Sequence, residues 1–139
     1  MRYVLDSNVA LKVVLPEQYS DKATRLLLDY QNQLHELIAP DVFLVEAAHA
    51  VTRAERQNLL ARGEAAHKLA HLIGVHPELR SYLPLLPRAV EISSQARIGV
   101  YDCLYVALAE QETCELVTAD ARLIKALPGF PIVDLATMP

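Results

Sequence analysis

Cysteine is nearly absent from this 139-residue chain, which has only Cys103 and Cys114. The first falls in a strongly helical stretch, so the two read as buried, reduced thiols rather than a disulfide or a metal pair. Long apolar runs are missing as well. The greasiest stretch, Val42 to Val51, is broken by Glu46 and His49, whereas a membrane span needs about 20 mostly apolar residues. The opening Met1-Arg2-Tyr3-Val4-Leu5-Asp6 has no basic start, apolar stretch or small-residue cleavage site. The expectation is a cytoplasmic protein with no export signal. Basic charge is not in excess either: the formal net charge is -4, so bulk electrostatics does not advertise a nucleic-acid partner, and any phosphate contact has to be local. Repeats, low-complexity tracts and long Pro/Gly/Ser linkers are also missing.

What the chain does have is apolar material. A 53% hydrophobic composition over 139 residues supplies a single core and implies one domain, residues 1–139. The mean hydropathy of +0.18 is high for a soluble chain this small and points to apolar surface that meets a partner.

Strand-like and helix-like segments alternate along the chain. A strand over about Arg2 to Leu5 runs into a turn at Asp6-Ser7-Asn8, residues that bond their own backbone. Ser20 reads as the N-cap of a helix over about Asp21 to Gln31, with Ala23, Leu26, Leu27 and Tyr30 along one face. Glu36 to Pro40 is a short buried strand. Pro40-Asp41 then opens a long helix carrying Val42, Val45, Ala48 and Thr52 at helical spacing, with Glu46 in its second turn. A helix from about Glu64 to Ile73 pairs with it as a hairpin. Leu79 to Leu83 reads as a strand diluted by Arg80 and Ser81, Leu85 to Arg97 as a helix, and Val100 to Gln111 as a helix with Asp102 in its first turn. Leu116 to Thr118 is a strand ending near Asp120, and Pro131 to Val133 is another. This order predicts an α/β domain with a mostly parallel sheet and right-handed crossovers.

In such sheets ligands bind beyond the carboxyl ends of the strands. Asp6 and Asp120 each follow a strand, while Glu46 and Asp102 lie early in helices that reach over the same edge. Singly, each has a structural reading: turn residue for Asp6, solvated helix residue for Glu46, helix N-terminal acid for Asp102, cap for Asp120. Glu46 is the hardest to dismiss, because Phe43, Leu44, Val45, Ala47 and Ala48 surround it and an unpartnered buried carboxylate is costly. Carboxylates that converge repel one another and call for a cation. Oxygen donors without a His or Cys cluster favour Mg²⁺ or Mn²⁺ over zinc. A phosphodiester is the substrate that suits such a site.

The segments Val4-Leu5-Asp6-Ser7-Asn8-Val9-Ala10, Val100-Tyr101-Asp102-Cys103-Leu104-Tyr105-Val106-Ala107-Leu108-Ala109 and Leu116-Val117-Thr118-Ala119-Asp120-Ala121-Arg122-Leu123, together with the helical Glu46, carry a resemblance over nearly the whole chain. It resembles the PIN-domain ribonucleases, and especially the VapC toxins of prokaryotic toxin–antitoxin modules. The resemblance implies a three-layer α/β/α fold with four to five strands. It makes Asp6, Glu46, Asp102 and Asp120 the catalytic, metal-holding acids, with Ser7, Asn8 and Thr118 supporting them. It implies endonucleolytic RNA cleavage, a homodimer, and a cognate antitoxin whose C-terminal segment docks in an apolar groove. The segments Leu26 to Leu28 and Val42 to Val51 are candidates for that groove, with plain core as the competing reading. Lys12, Arg122 and Lys125 are candidates for backbone phosphate contacts. Some relatives carry a further acid where this chain has Arg122, which leaves the number of ions open.

Other readings fail on named residues. His67 and His71 stand one helical turn apart, but a zinc protease needs a glutamate where Lys68 stands. Phosphate-receiver domains want paired acids after the first strand, and aspartate-nucleophile phosphatases want a second acid at position 8, which is Asn8. Tyr101 and Tyr105 read either as base-stacking rings or as core with exposed hydroxyls. The rival that survives is a PIN-like module that binds RNA or protein and cuts poorly.

Overall fold

In the computed structural model, which describes Met1–Pro139, all strands join one parallel sheet. The strands are β1 (Arg2–Leu5), β2 (Glu36–Pro40), β3 (Glu78–Arg80), β4 (Glu115–Thr118) and β5 (Ile132–Asp134), in the spatial order β3-β2-β1-β4-β5. Consecutive residues of the central strands are buried: Val4 and Leu5, Leu37 to Ala39, and Leu116 to Thr118 are all 0% exposed. A strand can bury successive side chains only if both faces of the sheet are covered. The expected three-layer α/β/α arrangement is therefore present, with five strands and every pairing parallel.

The covering helices are α1 (Ser7–Val14), α2 (Ser20–Gln31), α3 (Phe43–Arg56), α4 (Glu64–Val75), α5 (Leu86–Ala96), α6 (Val100–Gln111) and α7 (Ala121–Ala126). Helix α6 lies against β1, β2 and β4 with α5 packed on it, while α1 packs with α2, α3 and α4. From Cys103 to Ala109 every residue of α6 is buried, so α6 is apolar nearly all round, as a helix inside a core must be. No helix is long and apolar enough to cross a membrane.

The structure corrects several details. Asp6-Ser7-Asn8 is not an isolated turn, because Ser7 begins helix α1. Ser20 is the first residue of α2 rather than its cap; the cap position is Tyr19 at φ 68, and Ser20 Oγ instead accepts from the Glu17 N–H at 2.8 Å. Pro40 completes β2, and α3 starts only at Phe43, which puts Glu46 in its first turn. Strand β3 ends at Arg80, and Leu83–Leu85 forms a single 3-10 turn with Pro84 inside it. Cys114 is only partly buried, and Tyr101 is 58% exposed rather than core. Of the segments offered for an apolar groove, Leu26, Leu27, Phe43, Ala47 and Val51 are core, and the exposed apolar side chains are Leu28 and Val45.

Strand order positions the site. From β1 the chain moves outward through β2 to β3, then returns to place β4 on the other side of β1. The β1/β4 boundary is thus the point where the winding reverses, and in open α/β sheets a crevice forms there at the carboxyl ends.

Candidate active site

Asp6 and Thr118 face one another across that boundary. The Asp6 N–H extends the ladder one residue past β1 by donating to the Val117 carbonyl at 3.1 Å. Its carboxylate occupies the N-cap position of α1 yet makes no capping bond, although aspartate is among the best caps. Instead Oδ2 accepts from Thr118 Oγ1 at 2.9 Å and from Asn8 Nδ2 at 3.3 Å. Thr118 is fully buried and its hydroxyl is used completely, donating to Asp6 and accepting from Asn8 Nδ2 (3.2 Å) and the Asp120 N–H (3.1 Å). Asn8 Oδ1 closes the network by accepting from the Ala119 N–H at 3.2 Å. Two strand ends distant in sequence are thereby locked, and one carboxylate is held among them at 4% exposure.

The remaining acids are half-buried neighbours. Asp102, Glu46 and Asp6 act on one another electrostatically, and Asp120 acts on Asp102. Burial pushes the Asp6 carboxyl up to about 7, with the Asp102 and Glu46 charges adding to it and the Thr118 and Asn8 bonds opposing it. Burial is also the main reason Glu46 and Asp102 are raised, helped in each case by a neighbouring carboxylate. None of the four acids enters an ion pair. Asp102 sits in the first turn of α6, as its structural reading has it, and Asp120 realises its own: Oδ1 caps α7, accepting from the Arg122 and Leu123 N–H groups at 2.9 and 3.2 Å.

The sequence marks Tyr105 only as a ring for the core or for a base, and the structure gives it another place. It is 0% exposed, and its hydroxyl donates to Glu46 Oε1 at 2.5 Å. A tyrosine three residues after Asp102 in an otherwise apolar helix is the available signal, because a buried phenol requires a hydrogen-bond partner. Ser7 is buried beside that phenol.

The basic candidates divide. Arg122 and Lys125 are exposed on α7, and the Arg122 charge reaches Asp102 and lowers its carboxyl against the other influences. Lys12 is buried; its ammonium bonds Glu17 Oε1 at 3.1 Å and the Gln18 carbonyl at 2.9 Å. It therefore ties down the segment after α1 and does not stand free for a phosphate.

Two observations bear on a cation. The donor set is entirely carboxylate oxygen, buried at Asp6 and half-buried at the others, mutually repelling and without an ion-pair partner, which suits a hard divalent ion. No group of three or more His, Cys, Asp or Glu side chains is already assembled at ligand spacing. Mg²⁺ does not require a preassembled cage, being usually bound by one or two carboxylates with water filling its other positions. A cleft of about 940 Å³ lies away from these acids, among Arg2, Tyr3, Glu36 and Glu115 at the amino ends of the strands.

Fold and site define an α/β domain with an acidic centre at the switch point of a parallel sheet. The chain belongs to the PIN domain family, whose model matches residues 3–127. It is 31% identical over 132 residues to a protein named ribonuclease VapC3 from Pyrobaculum aerophilum, covering 94% of this chain and 98% of that one. It is 36% identical over 95 residues to ribonuclease VapC1 of Mycobacterium tuberculosis, covering 67% of this chain and 68% of the other. Among solved structures, VapBC2 of Rickettsia felis bound to a promoter DNA fragment matches with a TM-score of 0.69 at 18% identity, covering 96% of this chain and 98% of that one. DNA-bound VapBC from Salmonella typhimurium matches with a TM-score of 0.68 at 17% identity, covering 97% and 98%. At such identities the structural matches speak for the fold.

Proposed function

We propose that residues 1–139 form a single nuclease domain, a Mg²⁺- or Mn²⁺-dependent endoribonuclease that acts in the cytoplasm as the toxin of a toxin–antitoxin pair. The observation that carries this reading is Asp6: a carboxylate 4% exposed, pressed by two more acids and given no cation by its own chain. The names of the full-length and partial relatives supply the substrate class, RNA.

Asp6, Glu46, Asp102 and Asp120 are the residues that would hold the ion. A bound divalent ion supplies positive charge that polarises phosphoryl oxygens and makes water a stronger nucleophile near neutral pH. Thr118 and Asn8 hold Asp6 Oδ2 from two sides and so fix where its charge points. Asp120 divides its work, with Oδ1 spent on the cap and Oδ2 left for the centre. A carboxylate of the set accepts the proton that the attacking water loses. Arg122, whose charge reaches Asp102, and Lys125, exposed on the same helix, are the candidates for phosphates flanking the cut, and their loss would weaken binding evenly across RNA sequences.

A homodimer and a cognate antitoxin complete the proposal. An acidic pocket without a cation invites a basic side chain as readily as a metal, since an arginine fork pairs bidentately with carboxylates. The exposed Leu28 and Val45 offer apolar surface for such a partner.

Purified protein incubated with total RNA and Mn²⁺, beside its Asp6→Asn variant, tests the reading. Discrete cut ends from the wild type and none from the variant are expected. Equal cleavage by both contradicts it by removing Asp6 from the mechanism, and no cleavage by the wild type at any Mn²⁺ concentration contradicts it and favours the binding module.

A further inference from the structure

Tyr105 stands apart from the other aromatic residues. Tyr101, one turn earlier on α6, is 58% exposed, while Tyr105 is wholly buried and delivers its hydroxyl to an acid of the candidate centre. At 2.5 Å the contact is a short, charge-assisted hydrogen bond. It joins α6 to α3 across 59 residues of sequence, and α6 is the helix that also carries Asp102. Glu46 Oε1 receives this bond and Glu46 takes part in no ion pair. A glutamate has three side-chain torsions to fix. A carboxylate repelled by Asp102 would otherwise swing outward to water.

We propose that Tyr105 is a positioning residue for the acidic centre: its hydroxyl pins Glu46 Oε1 and so fixes the Glu46 carboxylate beside Asp6 and Asp102, where a divalent cation would be held. The inference rests on the nuclease reading and deepens it. Tyr105 touches neither substrate nor metal; it sets the orientation of a group that does. Such supporting partners typically matter 10–100-fold in metal affinity or activity. Ser7 neighbours the same phenol oxygen, which places a second residue of the conspicuous Asp6-Ser7-Asn8 segment in this support.

Tyr105→Phe keeps the ring and removes the hydroxyl alone. The expected result is a Mn²⁺ half-saturation, read by the melting-temperature response of the full chain, weakened by about 10-fold or more. In RNA cleavage kcat falls while KM holds, because the phenol meets no RNA. In a Glu46→Gln background the same change should bring no further loss, the mark of a residue acting through Glu46. Tyr30→Phe, at the amino-end cleft, serves as the control and should match the wild type throughout.

Tyr105→Phe that binds Mn²⁺ and cuts like the wild type overturns the proposal, as does an equal loss in both Glu46 backgrounds. If Tyr105→Phe does not fold, 3-fluorotyrosine at position 105, a stronger donor of nearly the same shape, should change the Mn²⁺ half-saturation; no change overturns it. A wild type that neither binds Mn²⁺ nor cuts RNA removes the nuclease reading itself, and this inference with it. A wild type that does both, beside an indifferent Tyr105 variant, removes this inference alone.

Discussion

The two ends of the sheet treat charge in opposite ways. At the amino ends, Arg2 bonds Glu36 at 2.8 Å and Glu112 at 2.9 Å. At the carboxyl ends, Asp6, Glu46, Asp102 and Asp120 gather with no such partner. The amino end has a cleft of about 940 Å³ and charges that are already neutralised. The carboxyl end has the unbalanced field. A chain that can pair its surface acids and leaves its most buried ones unpaired is keeping them for something outside itself.

The contrast can be broken most severely at the carboxyl end. Asp102→Asn should lower RNA cleavage by roughly 100-fold or more, the scale of a lost acid–base or charge-stabilising group, measured as kcat/KM with Mn²⁺ present. Next comes the pH dependence of stability. Without metal, the folded state keeps a proton on Asp6 up to about pH 7, whereas the ordinary carboxyl value is 3.8. The folded state therefore binds more protons across that interval, and its stability falls as pH rises from about 4 to about 7. At about 1.4 kcal/mol per unit, the span is on the order of 4 kcal/mol. Melting curves in a chelator should show the decline, and Asp6→Asn should flatten it while raising the metal-free melting temperature near pH 7. Mn²⁺ at 100 times its dissociation constant should restore about 2.7 kcal/mol to the wild type.

A smaller effect is expected at Thr118. Thr118→Val keeps the shape and removes one donor and two acceptors, leaving Asp6 less supported and the Asp120 N–H without its partner. A loss of about 1–3 kcal/mol is expected from denaturant unfolding, together with a weaker Mn²⁺ response. The smallest effect belongs to the amino end. Glu112→Gln should slightly lower the melting temperature, the more so at low salt, and should leave both Mn²⁺ binding and cleavage unchanged. A substantial loss of cleavage there would erase the distinction between the two ends.

Much of this contrast was legible in the sequence. The alternation of strands and helices placed Asp6 and Asp120 at strand ends and gave a mostly parallel sheet, Glu36 to Pro40 reading as a buried strand, while the three layers followed from the family resemblance. Helix α1 escaped notice because Ser7, Asn8, Val9, Val13 and Val14 are indifferent helix formers; burial of Val9, Ala10 and Val14 in the core overrides that propensity. The late start of α3 is a boundary matter, decided by Pro40 completing the ladder with β3. Lys12 resembled a phosphate contact in one dimension, and only the fold reveals Glu17 and Gln18 folding back onto it. The bond from Tyr105 to Glu46 could not be read at all, because it depends on how α6 and α3 meet over the sheet.

The account stands on the four acids forming one centre that holds a divalent ion. Electron paramagnetic resonance of free Mn²⁺, titrated against the wild type and Asp102→Asn at pH 7.5, tests that directly. Saturable uptake by the wild type, greatly weakened in Asp102→Asn, is the predicted result. Identical uptake by both proteins, or none by either, would contradict it.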